Sequence, residues 1–143
     1  LTIVPYSNDA LLQLASDVRM TSQLLSRRIR FESASEVAPH QFSVLVKVWK
    51  QPRTPGELAE LERVSPPSMT RTVNCLVDAG YLTRQADPSD GRQRVLTLTD
   101  AGAALVEKTI HDRDDWMLRR LEGLTDAERA DLARAVEILA RVL

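Results

Sequence analysis

The fold of this chain is decided by residues 65–98, which read S-P-P-S-M-T-R-T-V-N-C-L-V-D-A-G-Y-L-T-R-Q-A-D-P-S-D-G-R-Q-R-V-L-T-L. Ser65 is a favoured N-cap residue, and the proline after it suits the first position of a helix because it lacks the amide hydrogen that would be unpaired there. Three apolar residues then recur at the spacing of one helix face: Met69, Val73 and Leu76. Gly80 can adopt the left-handed conformation that commonly ends a helix. The stretch therefore predicts a helix over 66–79 with one apolar face.

Two short strands are expected after this helix. Residues 81–84 and 95–98 have strand-forming composition and flank a polar turn at 88–91. Upstream, Thr54 and Glu57 form a capping box, which predicts a short helix that ends a few residues before Ser65. Two short helices joined so closely, the second followed by a two-stranded wing, predict a winged helix-turn-helix, an arrangement that reads DNA.

Further helices are expected on both sides of this region. The apolar periodicity predicts one helix over 8–31 and another from Pro39 to about residue 51, and Thr99 and Thr125 are N-cap candidates for two more. The residues expected to face the core from the second and third helices are Phe42, Leu45, Val46, Trp49, Leu58, Ala59 and Leu61. We therefore predict a mainly α chain with a small β-wing, in which a winged helix-turn-helix is joined to a helical dimerisation region.

The outer helices carry apolar stripes that a winged helix alone would not bury. The first helix repeats an apolar residue every seven positions, at Leu11, Val18 and Leu25. The last helix has a similar stripe, at Leu132, Val136, Leu139 and Leu143. Packing on the chain's own core would explain the first stripe equally well, but a symmetric homodimer would bury both and would suit paired DNA half-sites. We expect residues 1–38 and 99–143 to form the dimerisation helices and residues 39–98 the DNA-binding region, within one compact chain.

Composition limits the partners and the cellular compartment that fit this chain. The chain has 143 residues and a net charge of −1, so attraction to a polyanion must be local. Four arginines lie in the stretch 65–98 of the predicted DNA-binding region: Arg71, Arg84, Arg92 and Arg94. A single cysteine excludes an internal disulfide and is typical of a reducing compartment. No apolar run approaches the roughly 20 residues of a membrane span and no signal peptide is visible, so we expect a cytoplasmic protein without a membrane partner.

Around the predicted wing, the sequence resembles the MarR family of winged-helix transcription regulators. The resemblance is carried by D-P-S-D-G-R-Q-R at 87–94, by V-L-T-L-T-D-A-G at 95–102 and by L-V-D-A-G-Y-L-T-R at 76–84. Outside 54–102 the likeness is one of helix order and length. The resemblance implies an obligate dimer that binds DNA through one recognition helix and one wing per subunit, and often a small ligand or oxidant that releases the DNA. We therefore expect a homodimeric repressor of transcription that binds a pseudo-palindromic operator in double-stranded DNA and a small aromatic or lipophilic effector, without a cofactor.

Carried onto this chain, the resemblance makes 66–79 the recognition helix that enters the major groove. Its expected DNA contacts are Ser65, Ser68, Thr70 and Arg71. Arg71 is the best candidate for a base reader, because a guanidinium can bind two acceptors of a guanine at once. Ser65 and Ser68 suit phosphates near the helix N-terminus, where backbone amides and the helix dipole favour anions.

The resemblance also gives the wing a role in the minor groove. Arg92 or Arg94 would reach into that groove, where narrow A·T-rich stretches concentrate negative potential. Strand alternation would place both arginines on one face. In the family an acidic residue of the wing braces an arginine, and Asp87 or Asp90 could do so here. The alternative is a turn that satisfies itself, with aspartates capping amides and arginines in solvent.

Other functions receive less support from the sequence. His40 and His111 lie in different predicted helices, without the spacing of a metal site or a catalytic triad, so we expect neither an enzyme nor a metal protein. A winged helix that binds protein instead of DNA is the main alternative, which the near-neutral charge favours slightly. Cys75, on the outward side of the predicted recognition helix, could sense oxidants, although a filler residue is the simpler interpretation.

Overall fold

The computed structural model describes residues 7–33 and 35–143. The first six residues and residue 34, which belong to the predicted segment 1–38, lie outside the described residues. The described ranges form, in chain order, α1 (Asn8–Glu32), α2 (Pro39–Lys50), α3 (Pro55–Glu62), α4 (Pro66–Asp78), β1 (Leu82–Ala86), β2 (Arg94–Leu98), α5 (Asp100–Leu121) and α6 (Asp126–Ala140). The predicted fold class, mainly helical with a small β-wing, is confirmed. None of the helices in the described ranges is long and apolar enough to cross a membrane.

Local side-chain caps set the starts of α3 and α6. The Glu57 amide donates to Thr54 Oγ1 at 3.2 Å, and the Thr54 amide donates to Glu57 Oε2 at 2.7 Å. The same reciprocal pair joins Thr125 and Glu128, at 3.3 and 2.8 Å. Both capping boxes are therefore confirmed, and each satisfies amides that the first turn of a helix leaves without partners.

A glycine ends α4 as the sequence predicts. Gly80 has a φ of +80°, in the left-handed region. Its amide donates to the Val77 carbonyl and the Tyr81 amide to the Leu76 carbonyl, both at 2.9 Å. These two bonds form a Schellman motif, which lets the chain leave the helix and start β1 within two residues.

The wing is a two-stranded antiparallel sheet. Leu82 pairs with Leu98 and Arg84 with Leu96. Arg53, just before α3, adds one bridge to the outer side of β2 through hydrogen bonds with Leu96 of 2.7 and 3.3 Å. The segment before α3 is thus tied to the middle of β2.

The chain divides into two compact units, residues 34–115 and residues 1–33 with 116–143. The first of these contains the helix-turn-helix and the wing, around a core of buried residues: Phe42, Val44, Leu45, Val48, Leu58, Ala59, Met69, Val73, Leu76, Leu82, Leu96, Leu105 and Val106. Two predicted core positions are wrong, since Trp49 is 45% exposed and Leu61 48% exposed. On α2, Val44 and Val48 face the core in place of Trp49. The helix α3 has only about two turns and buries only the side that carries Leu58 and Ala59.

The other unit contains α1, the end of α5 and α6. Neither α1 nor α6 buries a single residue in the described chain. The exposed apolar residues of these two helices include Leu11, Leu14, Val18, Leu25, Leu132 and Val136. Trp116 near the end of α5 is buried, and Arg120 lies over its ring at 3.2 Å from the ring centre. The stripes noted in the sequence are therefore left open to solvent within one chain.

Candidate nucleic-acid interface

The α4 helix has one face in the core and the other in solvent. Met69, Val73 and Leu76 are buried, as the periodicity predicts. Arg71 and Cys75 on the other side are exposed. A helix held by one apolar stripe can present its polar side to a ligand without losing its own packing.

The first turn of α4 offers few backbone amides to an anion. Pro66 and Pro67 have no amide hydrogen, the Ser68 amide donates to Ser65 Oγ at 3.4 Å, and the Met69 amide donates to the Ser65 carbonyl at 3.0 Å. The amides of Ser68 and Met69 are therefore engaged within the chain and add little to the attraction for a phosphate. The helix dipole and the hydroxyl groups of Ser65 and Ser68 remain as the attraction for an anion.

The predicted contact residues of α4 are joined by short polar contacts. Ser65 Oγ lies 3.1 Å from Ser68 Oγ, and Arg71 Nη2 donates to Ser68 Oγ at 3.3 Å. Arg71 uses one of its five N–H groups in this way, so the others are free to bind a base. Thr70 Oγ1 donates to the Pro66 carbonyl at 2.9 Å, which engages its only hydroxyl proton. Thr70 is thus oriented to accept a hydrogen bond and not to donate one to a phosphate.

The turn of the wing is held by its own aspartates. Asp87 accepts from the amide and the hydroxyl of Ser89, at 2.8 and 2.7 Å, and these bonds hold the pKa of the Asp87 carboxyl below its usual value. Asp90 accepts from the Arg92 amide at 3.1 Å. Neither carboxylate braces an arginine side chain, so the local geometry is that of the self-satisfied turn.

Arg92 and Arg94 are the free cations of the wing. Both are exposed, and neither guanidinium has a hydrogen-bond or ion-pair partner in the described ranges 7–33 and 35–143. β2 begins at Arg94, so Arg92 lies in the turn. Strand alternation therefore does not place Arg92 on the same face as Arg94.

One contact of this region is absent from the sequence-based site. Arg84 of β1 donates through Nη2 to Asn74 Oδ1 of α4 at 2.6 Å. The two residues are separated by the end of the helix, Gly80 and the start of the strand. Periodicity shows which face each residue occupies on its own element, but only the packing of the hairpin on α4 brings them together.

A cavity of about 390 Å³ lies on the other flank of α4. It is lined by residues of the helix-turn-helix: His40, Gln41, Val44, Glu62, Val64, Ser68, Met69, Arg71, Thr72 and Cys75. At its edge Glu62 accepts from Lys47 and, at 2.7 Å, from Ser43 Oγ. Burial alone would raise the pKa of Glu62, but the bonds from Lys47 and Ser43 outweigh it and lower that pKa. This network ties α2 to the end of α3.

The histidines do not form a site. His111 Nε2 lies 3.3 Å from Asp115 Oδ2 on the exposed side of α5, and His40 is on α2. Among residues 7–33 and 35–143 there is no group of three or more histidine, cysteine or acidic side chains that could hold a metal ion.

Comparison with known proteins identifies the family. Residues 37–93 match the model of the MarR family. An uncharacterised HTH-type transcriptional regulator of Mycobacterium bovis is 39% identical over 129 residues, which cover 89% of this chain and 90% of that protein. Apo wild-type MarR from Escherichia coli is 28% identical with a TM-score of 0.69, covering 88% of this chain and 96% of that one. A further structure, of the Multiple Antibiotic Resistance Repressor MarR, is 27% identical with a TM-score of 0.72, covering 88% and 94%.

These matches extend well beyond the wing motifs that carry the resemblance in the sequence. The relatives are regulators of transcription, so the expectation that this protein is not an enzyme is confirmed. The family match at 37–93 contains α2, α3, α4 and β1. The chain belongs to the MarR family and is a DNA-binding regulator of transcription.

Proposed function

We propose that this protein is a homodimeric repressor that reads a pseudo-palindromic operator with α4 and the wing of each subunit and is released by a small effector. The proposal that the chain reads DNA rests on three exposed arginines that have no carboxylate partner among the described residues. Arg71 on α4 and Arg92 and Arg94 on the wing are exposed, and no carboxylate in the described ranges neutralises any of them. Cations left unpaired on a helix-turn-helix and its wing are what phosphates and guanine edges can bind.

Each predicted contact receives a role from its geometry. Arg71 reads a base in the major groove, and Ser68, whose Oγ is 3.3 Å from Arg71 Nη2, orients the guanidinium. Ser65 and Ser68 lie next to a phosphate at the positive end of the helix dipole, and Thr70 accepts from a base amino group. Arg92 or Arg94 enters the minor groove, and Asp90 supports this wing by holding the Arg92 amide.

The homodimer is supported by the apolar surface of α1 and α6. An amphipathic helix without a buried residue gains little from folding unless its apolar stripe is covered. Large exposed apolar patches mark interaction sites on soluble proteins, and a two-fold dimer covers the same stripe on both copies. We assign residues 1–38 and 99–143 to dimerisation and 39–98 to DNA binding. Sedimentation should show a dimer, and Val136→Asp should shift it towards monomers.

Repression and release are proposed from the family likeness, since one structural relative is a repressor of antibiotic resistance. The proposed switch acts on the spacing of the two recognition helices, which must match one turn of DNA, about 34–36 Å. A small aromatic or lipophilic effector that alters this spacing removes several contacts at once, without breaking the dimer. Sedimentation with effector tests this version directly, and an effector that splits the dimer contradicts it.

The first experiment is an anisotropy titration of a labelled duplex from the gene's own upstream region against a scrambled duplex, repeated at several salt concentrations. We expect selective binding that weakens steeply with salt. Arg71→Ala should lose about 1–3 kcal/mol of discrimination between the two duplexes. Arg92→Ala should weaken binding to both duplexes about equally and lower the salt slope.

Equal, weak binding to both duplexes would call for a genome-wide selection of bound fragments. If that selection enriches no DNA, the proposal that this chain reads DNA is refuted, and a winged helix that binds protein takes its place.

A further inference from the structure

Arg84 of β1 is held in place by a residue of another element, α4, without being neutralised. Its guanidinium donates to Asn74 Oδ1 at 2.6 Å, and Asn74 carries no charge. No acidic side chain of residues 7–33 and 35–143 forms an ion pair with it. The side chain is exposed and uses one of its five N–H groups on Asn74. A full positive charge is therefore presented to solvent at a defined position.

The register of the wing explains how Arg84 reaches α4. Side chains two residues apart on a strand share a face, so Arg84 lies on the same face of β1 as the buried Leu82. Its partner on β2 is Leu96, which is also buried. On β1 this face covers the core at Leu82, whereas the side chain of Arg84, two residues further along, reaches Asn74 on α4. Arg84 thus lies at the seam between α4 and the hairpin.

The proposed function places this seam over a particular part of DNA. When a recognition helix occupies the major groove and the wing of the same subunit the adjacent minor groove, the protein straddles the one sugar–phosphate strand that separates the two grooves. The residues at the seam between helix and wing are then the ones closest to that strand. A cation fixed at this point has a phosphate as its natural partner.

We infer that Arg84 binds a phosphate of the strand between the two grooves and that Asn74 is the positioning residue that holds its guanidinium there. The inference rests on the proposed DNA-reading function and extends it, since it adds a contact that neither the recognition helix nor the tip of the wing supplies. The bond to Asn74 restricts a long side chain before DNA arrives, which lowers the entropy lost on binding.

The test measures affinity for the operator duplex as a function of salt in five variants of the full chain. Arg84→Gln should lower the slope of log K against log salt by about 0.9 for each subunit on the DNA, because one phosphate contact is lost. Arg84→Lys keeps the charge and should keep the slope. Arg134→Gln is the matched control, since Arg134 is an exposed arginine on the side of α6 opposite its apolar stripe, and it should leave the slope unchanged.

Asn74→Asp separates a role in DNA binding from a purely structural one. The carboxylate would bind Arg84 more strongly than the amide does, so a structural contact would be preserved or strengthened. On DNA the same carboxylate neutralises Arg84 and repels the phosphate, so the affinity should fall at least as far as in Arg84→Gln. Asn74→Ala leaves the charge free but unrestrained, and we expect about a 2- to 10-fold loss of affinity with little change in salt slope.

The outcomes separate this inference from the function on which it depends. If the wild-type protein shows no selective, salt-dependent binding, the DNA-reading proposal itself fails. If the wild type binds as expected and Arg71→Ala loses selectivity, but Arg84→Gln matches Arg134→Gln, only the seam contact is overturned. Wild-type affinity in Asn74→Asp would overturn it as well. Thermal unfolding of each variant, followed by circular dichroism, identifies any that do not fold. If Arg84→Gln is among them, Asn74→Asp decides the question.

Discussion

Gly102, near the start of α5, offers the sharpest test of how the helix after the wing is docked. A Cβ atom added at this position would lie 2.1 Å from the Tyr81 carbonyl oxygen and 3.1 Å from Leu98 Cδ2. The first distance must grow to at least 3.0 Å, and the opposing atom is backbone that cannot swing aside. Gly102→Ala therefore forces the start of α5 away from the start of β1.

The sign of the effect follows from comparing two magnitudes. Alanine favours a helix over glycine by about 1 kcal/mol, which would stabilise the variant. Overpacking costs about 1–3 kcal/mol, and the movement also strains the hydrogen bond from the Thr99 amide to the Tyr81 carbonyl, 3.1 Å long, for about 1 kcal/mol more. We expect a net loss of about 2 kcal/mol in the free energy of unfolding.

Urea unfolding monitored by circular dichroism at one fixed protein concentration measures this loss, since association changes apparent stability. The control is Gly123→Ala, where the added Cβ would meet only the Arg120 carbonyl oxygen at 3.6 Å, an ordinary contact. The control should be unchanged or slightly more stable. If Gly102→Ala is as stable as its control, the close approach of α5 to the Tyr81 carbonyl is refuted.

Three further predictions concern the helix ends and the tie between α2 and α3. Gly80→Ala should lose about 1–2 kcal/mol of unfolding free energy because its φ of +80° is unfavourable for alanine. Gly91→Ala should lose none, because Gly91 has as much open space but no positive φ, and urea unfolding compares the two variants. Thr54→Ala should cost about 1 kcal/mol by removing the N-cap of α3, and an unchanged midpoint would contradict this. The lowered pKa of Glu62 means that its contribution is present above the usual pKa of 4.5 and is lost as the pH falls through the lower, folded value. Glu62→Gln should therefore flatten the loss of stability in acid, and Glu60→Gln, an exposed neighbour, should not.

The ends of the helices could be predicted from the sequence better than the burial of individual side chains. The caps at Thr54 and Thr125 and the stop at Gly80 could be predicted because each depends on residues within three or four positions along the chain. Which apolar residues are buried depends on neighbours from distant segments. Trp49 and Leu61 fit a helical stripe but lie outside the area that the adjoining elements cover.

The same distinction, between features set within one segment and features set by contacts between segments, applies to the candidate site. The sequence by itself determined that α4 turns a polar side outward and that arginines cluster there and on the wing, because helical period and composition are properties of one segment. The shortage of free backbone amides in the first turn of α4 could also be predicted from the sequence, because Pro66 and Pro67 have no amide hydrogen.

Only the tertiary structure decided the bond between Arg84 and Asn74 and the close approach of Gly102 to the Tyr81 carbonyl. These contacts arise where two elements cross, and their distances depend on how the wing and α5 settle on the common core. Periodicity within one element carries no information about the angle or the separation between two.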